Sequence, residues 1–122
     1  GKCDRIDVDR DGGVKIVDYK TSKSKLSQKG LTENFQLNYY SLLLLESTSD
    51  DLVNLEPDTI SMIFLRHENP EINIDVSDQN LLEISVRRMN IVEGVKKGDF
   101  NPKKGPLCNY CEFKDLLCPL YS

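Results

Sequence analysis

Asp18 and Lys20 stand two residues apart in the alternating segment Gly13-Val14-Lys15-Ile16-Val17-Asp18-Tyr19-Lys20. Side chains alternate across a strand, so the two point to the same face, and the backbone alone holds a carboxylate beside an ammonium. A second alternating segment, Cys3-Asp4-Arg5-Ile6-Asp7-Val8-Asp9, lies just upstream, with Arg10-Asp11-Gly12 between the two. Together they read as a β-hairpin. A two-residue loop of Asp11-Gly12 would pair Arg10 with Gly13 and set Asp4 opposite Tyr19, on the wrong face. A three-residue loop pairs Asp9 with Gly13, puts Gly12 in the left-handed position such loops favour, and sets Asp4 opposite Asp18. The second register also matches Ile6 with Ile16, Val8 with Val14 and Asp7 with Lys15, so it is preferred.

That register brings two carboxylates to roughly 4.5–5.5 Å between Cβ atoms, an arrangement that destabilises a sheet unless a cation lies between them. Hard oxygen ligands so spaced suit magnesium or manganese. Such an ion polarises a phosphate and acidifies a water, while an amine at Lys20 orients that water and offsets negative charge. The bland reading is a surface hairpin that happens to be acidic, since Asp7, Asp9 and Asp11 are there as well.

The elements that must position these groups follow from periodicity. Residues 21–31, rich in Ser, Lys and Gln, read as a mobile loop. Thr32 is suited to cap a helix running to Glu46, with Glu33 in its first turn. The later half of that helix, Tyr39-Tyr40-Ser41-Leu42-Leu43-Leu44-Leu45, is apolar nearly all round and is expected to be buried. Thr59–Leu65 reads as a strand. Ile72, Ile74 and Val76 alternate with polar residues, giving a further strand with one wet face. Ser77 or Asp78 can cap a last helix ending near Lys97, with Gly98 just beyond it. Leu81, Leu82, Ile84, Val86, Met89, Ile91, Val92 and Val95 form its apolar stripe. The rest, with Pro102, Gly105 and Pro106, should be irregular, apart from a helical turn after Cys111. The order strand–strand–helix–strand–strand–helix defines a small α/β or α+β domain on one sheet, residues 1–122 as a single unit. Within it fall a hairpin (1–20), a helix (33–46) and a cysteine-rich tail (98–122).

The chain has 122 residues, 39% of them hydrophobic and 30% charged, as in ordinary globular domains. Leu42–Leu45 is the longest aliphatic run, far short of a membrane span, and the opening residues lack the apolar stretch of a signal peptide. A cytoplasmic setting is therefore expected. The net charge of −4 argues against binding nucleic acid by bulk charge. The lysines, however, are clustered, at Lys20, Lys23, Lys25 and Lys29, and at Lys96, Lys97, Lys103 and Lys104. Of the four cysteines, Cys108, Cys111 and Cys118 crowd the tail and Cys3 stands alone, a pattern closer to intracellular metal binding than to a disulfide scaffold. Cys3, next to Asp4 on its strand, should face away from the acid pair and act as a packed thiol. His67 reads as a loop or strand-end residue.

Gly1-Lys2-Cys3-Asp4-Arg5-Ile6-Asp7, then Asp18-Tyr19-Lys20-Thr21, then Gln36-Leu37-Asn38-Tyr39-Tyr40 resemble the RecB-like branch of the PD-(D/E)XK nuclease superfamily. Cys108-Asn109-Tyr110-Cys111-Glu112-Phe113 with Cys118-Pro119 is similar to the cysteine signature of its iron–sulfur members. The resemblance implies a restriction-endonuclease-like fold, a mixed sheet flanked by helices. It also implies magnesium- or manganese-dependent DNA cleavage, often exonucleolytic and partnered by a helicase, in recombination and repair or in phage or CRISPR DNA processing. Asp4, Asp18 and the Tyr19 carbonyl would be metal ligands, and Lys20 the catalytic lysine. Gln36 and Tyr40, one helical turn apart, would border the site and help to place DNA or Lys20. Cys108, Cys111 and Cys118 would hold part of a four-iron–four-sulfur cluster, which needs four thiolates. The pattern's upstream His or Glu and its fourth cysteine are not in this chain, so a piece of a larger nuclease is expected. The competing expectation is a catalytically incomplete scaffold that binds DNA or a partner, with a structural metal or cluster in its tail.

Overall fold

A computed structural model describes residues 2–121. The chain divides into two units, Gly1–Arg88 and Met89–Ser122.

The first unit is built on a mixed four-stranded sheet in the order β1-β2-β3-β4, from Arg5–Val8, Val14–Lys20, Pro57–Phe64 and Glu71–Asp75. The β1–β2 hairpin pairs Ile6 with Ile16, Asp7 with Lys15 and Val8 with Val14. This is the register chosen above from charge and apolar matching. Its turn is fixed by Asp9. The Asp9 N–H donates to the Gly13 carbonyl at 2.9 Å, and its Oδ1 accepts from the N–H groups of Asp11 at 2.9 Å and Gly13 at 2.7 Å. Gly12 has φ +85°, a conformation that favours glycine, and a Cβ at Gly13 would displace the Asp9 carboxylate that holds the turn. β2 then pairs in parallel with β3, setting Asp18 beside Met62 and Lys20 beside Phe64.

Parallel neighbours need a crossover. It is made by α1 (Gln28–Thr32) and α2 (Phe35–Leu45). The stretch expected to be a loop through residue 31 thus ends in a short helix. Ser27 caps it by accepting from Gly30 N at 3.0 Å. The cap of α2 is Asn34, which accepts from Leu37 N at 3.1 Å, rather than Thr32. Leu31, Leu37 and Leu44 pack on Val14, Ile16, Ile60, Met62, Phe64 and Ile72 of one sheet face to make the core. A single sheet can bury only one side of a helix, so the all-round apolar half of α2 is divided. Leu42 and Leu44 are buried, but Leu43 and Leu45 stay 37% and 42% exposed.

The other sheet face is polar. Arg5 Nε lies 2.8 Å from Asp7, Lys15 Nζ 3.2 Å from Glu71, and Ser61 Oγ donates to Glu71 at 2.9 Å.

α3 (Asp78–Lys96) starts where Ser77 Oγ accepts from Asn80 N at 3.1 Å. It is tied to the crossover by a buried amide pair, Asn80 Nδ2 donating to Asn38 Oδ1 at 2.8 Å. Arg88 adds a two-pronged contact to Glu46, at 2.7 and 3.1 Å. Of the part of the expected apolar stripe that lies in the first unit, Ile84 is buried, whereas Leu82 and Val86 are exposed. Gly98, at φ +68°, follows the helix end.

In the second unit the expected turn after Cys111 is present, Leu117 N donating to the Phe113 carbonyl at 3.1 Å, and a further helical turn precedes Cys111. Pro106–Tyr110 form a 3₁₀ turn, and Cys108 N donates to the Gly105 carbonyl at 3.0 Å. No helix among the described residues is long and apolar enough to cross a membrane.

Candidate active site

Asp18 and Lys20 project from the last turn of pleat in β2, on the face that carries the core. Lys20 Nζ lies 2.7 Å from Asp18 Oδ2. Asp18 is 5% exposed. Its Oδ2 receives no aligned hydrogen bond, even though the lysine is close, so charge contact without directional donation is all that offsets its burial. A buried carboxylate oxygen with no donor is costly in free energy unless a further positive group reaches it.

Asp4 approaches the end of β2 from the segment that leads into β1. β1 pairing ends at Arg5, opposite Val17, and Asp4 forms a bend just outside it. Its carboxylate takes over where the ladder stops, with Oδ2 accepting the Tyr19 N–H at 3.0 Å. The Tyr19 carbonyl shares that edge of β2, because the N–H and C=O of one strand residue point the same way. The Asp4 carboxylate (bonded to Tyr19 N), the Tyr19 carbonyl and the Asp18 carboxylate therefore all belong to the same end of the hairpin, the last two on adjacent residues of β2. These are hard oxygen donors, they suit magnesium or manganese, and the donor-less Asp18 oxygen fits such an ion.

The expectation for Cys3 is corrected. Alternation does not extend past the last paired residue, so Cys3 turns to the helix-bearing face, half-buried against the core. Burial pushes its thiol above the ordinary range, and the nearby charges of Asp18 and Asp4 add to the rise. It is a packed sulfur near both acids.

Gln36 and Tyr40 are joined on one face of α2, Gln36 Nε2 donating to the Tyr40 hydroxyl at 3.2 Å. That hydroxyl donates onward to the Lys2 carbonyl at 2.8 Å. The Tyr40 ring lines an apolar cavity of about 310 Å³ with Cys3, Ile6 and Ile16. The pair thus grips the chain leading into Asp4 instead of touching Asp18 or Lys20. Sequence reasoning missed the Lys2 carbonyl, since a main-chain acceptor leaves no trace in residue type.

The tail cysteines are a separate matter. Cys108 accepts from Gly105 N at 3.3 Å, and it raises the Tyr121 hydroxyl above its ordinary range by hydrogen bonding. Lys104 and Lys114 sit over the Tyr121 ring, 4.7 and 5.1 Å from its centre. Among the described residues no three His, Cys, Asp or Glu side chains gather closely enough to hold a metal. The three thiols as arranged do not fit a cluster that needs four. His67 sits in the turn after β3, edge-on to Phe64 with ring centres 6.0 Å apart.

A family model described as the PD-(D/E)XK nuclease superfamily matches residues 1–119 of this chain. No curated protein and no solved structure shows a significant match to it.

Proposed function

Because the chain belongs to the PD-(D/E)XK nuclease superfamily, whose restriction-endonuclease-like α/β fold it shares, we propose that it is a magnesium- or manganese-dependent deoxyribonuclease of the RecB-like branch, acting as an exonuclease. Asp4, Asp18 and the Tyr19 carbonyl would hold the ion, and Lys20 would be the catalytic amine. The observation that carries this reading is the buried Asp18 oxygen, 2.7 Å from Lys20 Nζ and lacking any aligned donor.

The bound ion supplies Lewis-acid polarisation of a phosphate and a more acidic water. This chain's own groups do the rest. Lys20, 33% exposed at its side chain, can turn from Asp18 towards a phosphate oxygen or an incoming water while staying within reach of the carboxylate. The apolar packing of Ile16, Met62 and Phe64 beneath the pair excludes water from one side and so strengthens its electrostatics. Nothing in the site is built to read base edges, so recognition of DNA would run through its phosphates, independent of sequence. Lys23, Lys25 and Lys29, on the segment leaving Lys20, add positive charge on that side.

The wider setting belongs to the same proposal: a cytoplasmic protein working with a helicase domain or subunit in DNA repair, recombination or phage-type DNA processing. An iron–sulfur cluster in the tail has no support from the thiol arrangement. The alternative is a catalytically incomplete scaffold that binds DNA or a partner. It is favoured by one observation: among the described residues no three His, Cys, Asp or Glu side chains gather closely enough to hold a metal.

Calorimetric titration with manganese tests the reading. Wild-type chain should bind the ion and Asp18→Ala should not. Equal binding by both would remove the metal site. Cleavage of linear DNA that needs the metal and is lost in Lys20→Ala separates nuclease from scaffold.

A further inference from the structure

The hydrogen-bond chain from Gln36 through Tyr40 to Lys2 has a direction. Gln36 Nε2 donates to the Tyr40 hydroxyl oxygen at 3.2 Å, which leaves the hydroxyl proton to be donated to the Lys2 carbonyl at 2.8 Å. Each bond polarises the next, and the amide fixes the hydroxyl rotor. The main chain of residues 2–4 is otherwise weakly held. It lies outside the β1–β2 ladder, which begins at Arg5. Among the described residues its other ties are the Asp4 carboxylate on Tyr19 N and the Cys3 thiol on the Arg5 carbonyl, both made by side chains. The Lys2 carbonyl is thus the one main-chain anchor on the upstream side of Asp4.

We infer that Tyr40, oriented by Gln36, is a positioning residue for the metal site: it fixes Asp4 by clamping the Lys2 carbonyl, and does not itself need to touch DNA, Asp18 or Lys20. The inference rests on the reading of Asp4 as a metal ligand. Asp4 is the acid most in need of such support. Asp18 is held within β2, paired with Met62 of β3, whereas Asp4 sits in a bend beyond the end of an edge strand. A carboxylate free to swing spends part of its time out of reach of the ion, and apparent affinity falls by that fraction. Groups that orient metal ligands from behind typically account for about 10–100-fold in metal affinity.

The test is manganese titration by calorimetry on the full chain, comparing wild type, Tyr40→Phe, Gln36→Ala and Asp18→Ala, each with a melting curve recorded without metal. Tyr40→Phe keeps the ring that lines the cavity with Cys3 and Ile16 and removes only the donor. Its manganese affinity should fall about tenfold and that of Gln36→Ala less, with melting curves close to wild type. The cleavage rate of Tyr40→Phe should recover at high manganese, which a lost contact to DNA would not allow. Wild-type affinity in both variants, with Asp18→Ala unable to bind, would overturn the inference and leave the nuclease reading standing. Wild-type affinity in Asp18→Ala would overturn both. Should Tyr40→Phe fail to fold, Gln36→Ala decides alone, because its side chain is at the helix surface.

Discussion

The Asp4 carboxylate occupies the place of a strand carbonyl: its Oδ2 accepts the Tyr19 N–H at 3.0 Å, one residue beyond the final ladder pair of Arg5 and Val17. This acid completes the hairpin, and that role can be separated by mutation from the metal-binding role proposed for it.

Asp4→Asn retains an oxygen to accept the Tyr19 N–H but removes the charge. Its melting temperature should stay near wild type while manganese affinity falls at least about tenfold. Asp4→Ala should lose both, and hydrogen exchange at the Tyr19 amide should accelerate in that variant alone. Slow exchange at Tyr19 in Asp4→Ala would show that another group accepts this proton.

Removing Lys20 takes from the buried Asp18 oxygen the one ion-pair partner it has among the described residues. Lys20→Ala should lower stability by about 1–3 kcal/mol, measured by urea denaturation without metal. It should also lower DNA cleavage by about 10²–10³-fold. Added manganese should stabilise the variant, since the ion supplies the charge the amine no longer does. A variant as stable as wild type would mean that Asp18 finds water or another donor.

Asn38 is 1% exposed, and its amide spans three main-chain carbonyls, those of Leu31, Thr32 and Asn34, while its oxygen accepts from Asn80. Asn38→Leu would remove the acceptor that Asn80 Nδ2 meets at 2.8 Å, leaving it the Thr32 carbonyl at 3.3 Å, and would take one donor each from the Leu31, Thr32 and Asn34 carbonyls. A loss of about 2–4 kcal/mol in urea denaturation is expected. Asn80→Ala, which removes only one donor, should cost less.

Glu71 and Glu46 both titrate below the usual carboxylate range. Ser61 and then Lys15 hold Glu71 down by hydrogen bonding, and Arg88 does so for Glu46. A carboxyl whose folded value is depressed contributes stability above its unfolded value and loses it as pH falls through the folded one. Melting temperature should thus be flat near neutrality and decline below the ordinary glutamate range near 4.5. Glu71→Gln should flatten that acid limb, and an unchanged limb would show that the Ser61 and Lys15 contacts do not persist in solution.

What the residues revealed in advance was short-range. The hairpin register was legible because Gly12, the apolar pairs and the Asp7–Lys15 match all favoured one loop length. Asp18 and Lys20 share a face because period two admits nothing else. The Asn34 cap was open to reading as well, being a good cap residue three before Leu37, but Thr32 competed for the same role. What stayed hidden depends on distant parts of the chain. The partner of Tyr40 is a carbonyl 38 residues away, and the Asn38–Asn80 pair joins amides 42 residues apart. Cys3 was assigned the wrong face because pairing stops at Arg5, and nothing in the residue types marks where a ladder ends. The exposure of Leu82 and Val86 on α3 follows from the number of neighbours available, which periodicity does not count.

β2 lies between two strands and β1 lies at the rim, so the two acids differ in how easily they come loose. Fluctuations that peel the rim away carry off Asp4 and leave Asp18 in place. A cation seated between them would act as a latch on the rim, and manganese should slow solvent exchange at the amides of Arg5–Val8 far more than at those of β3.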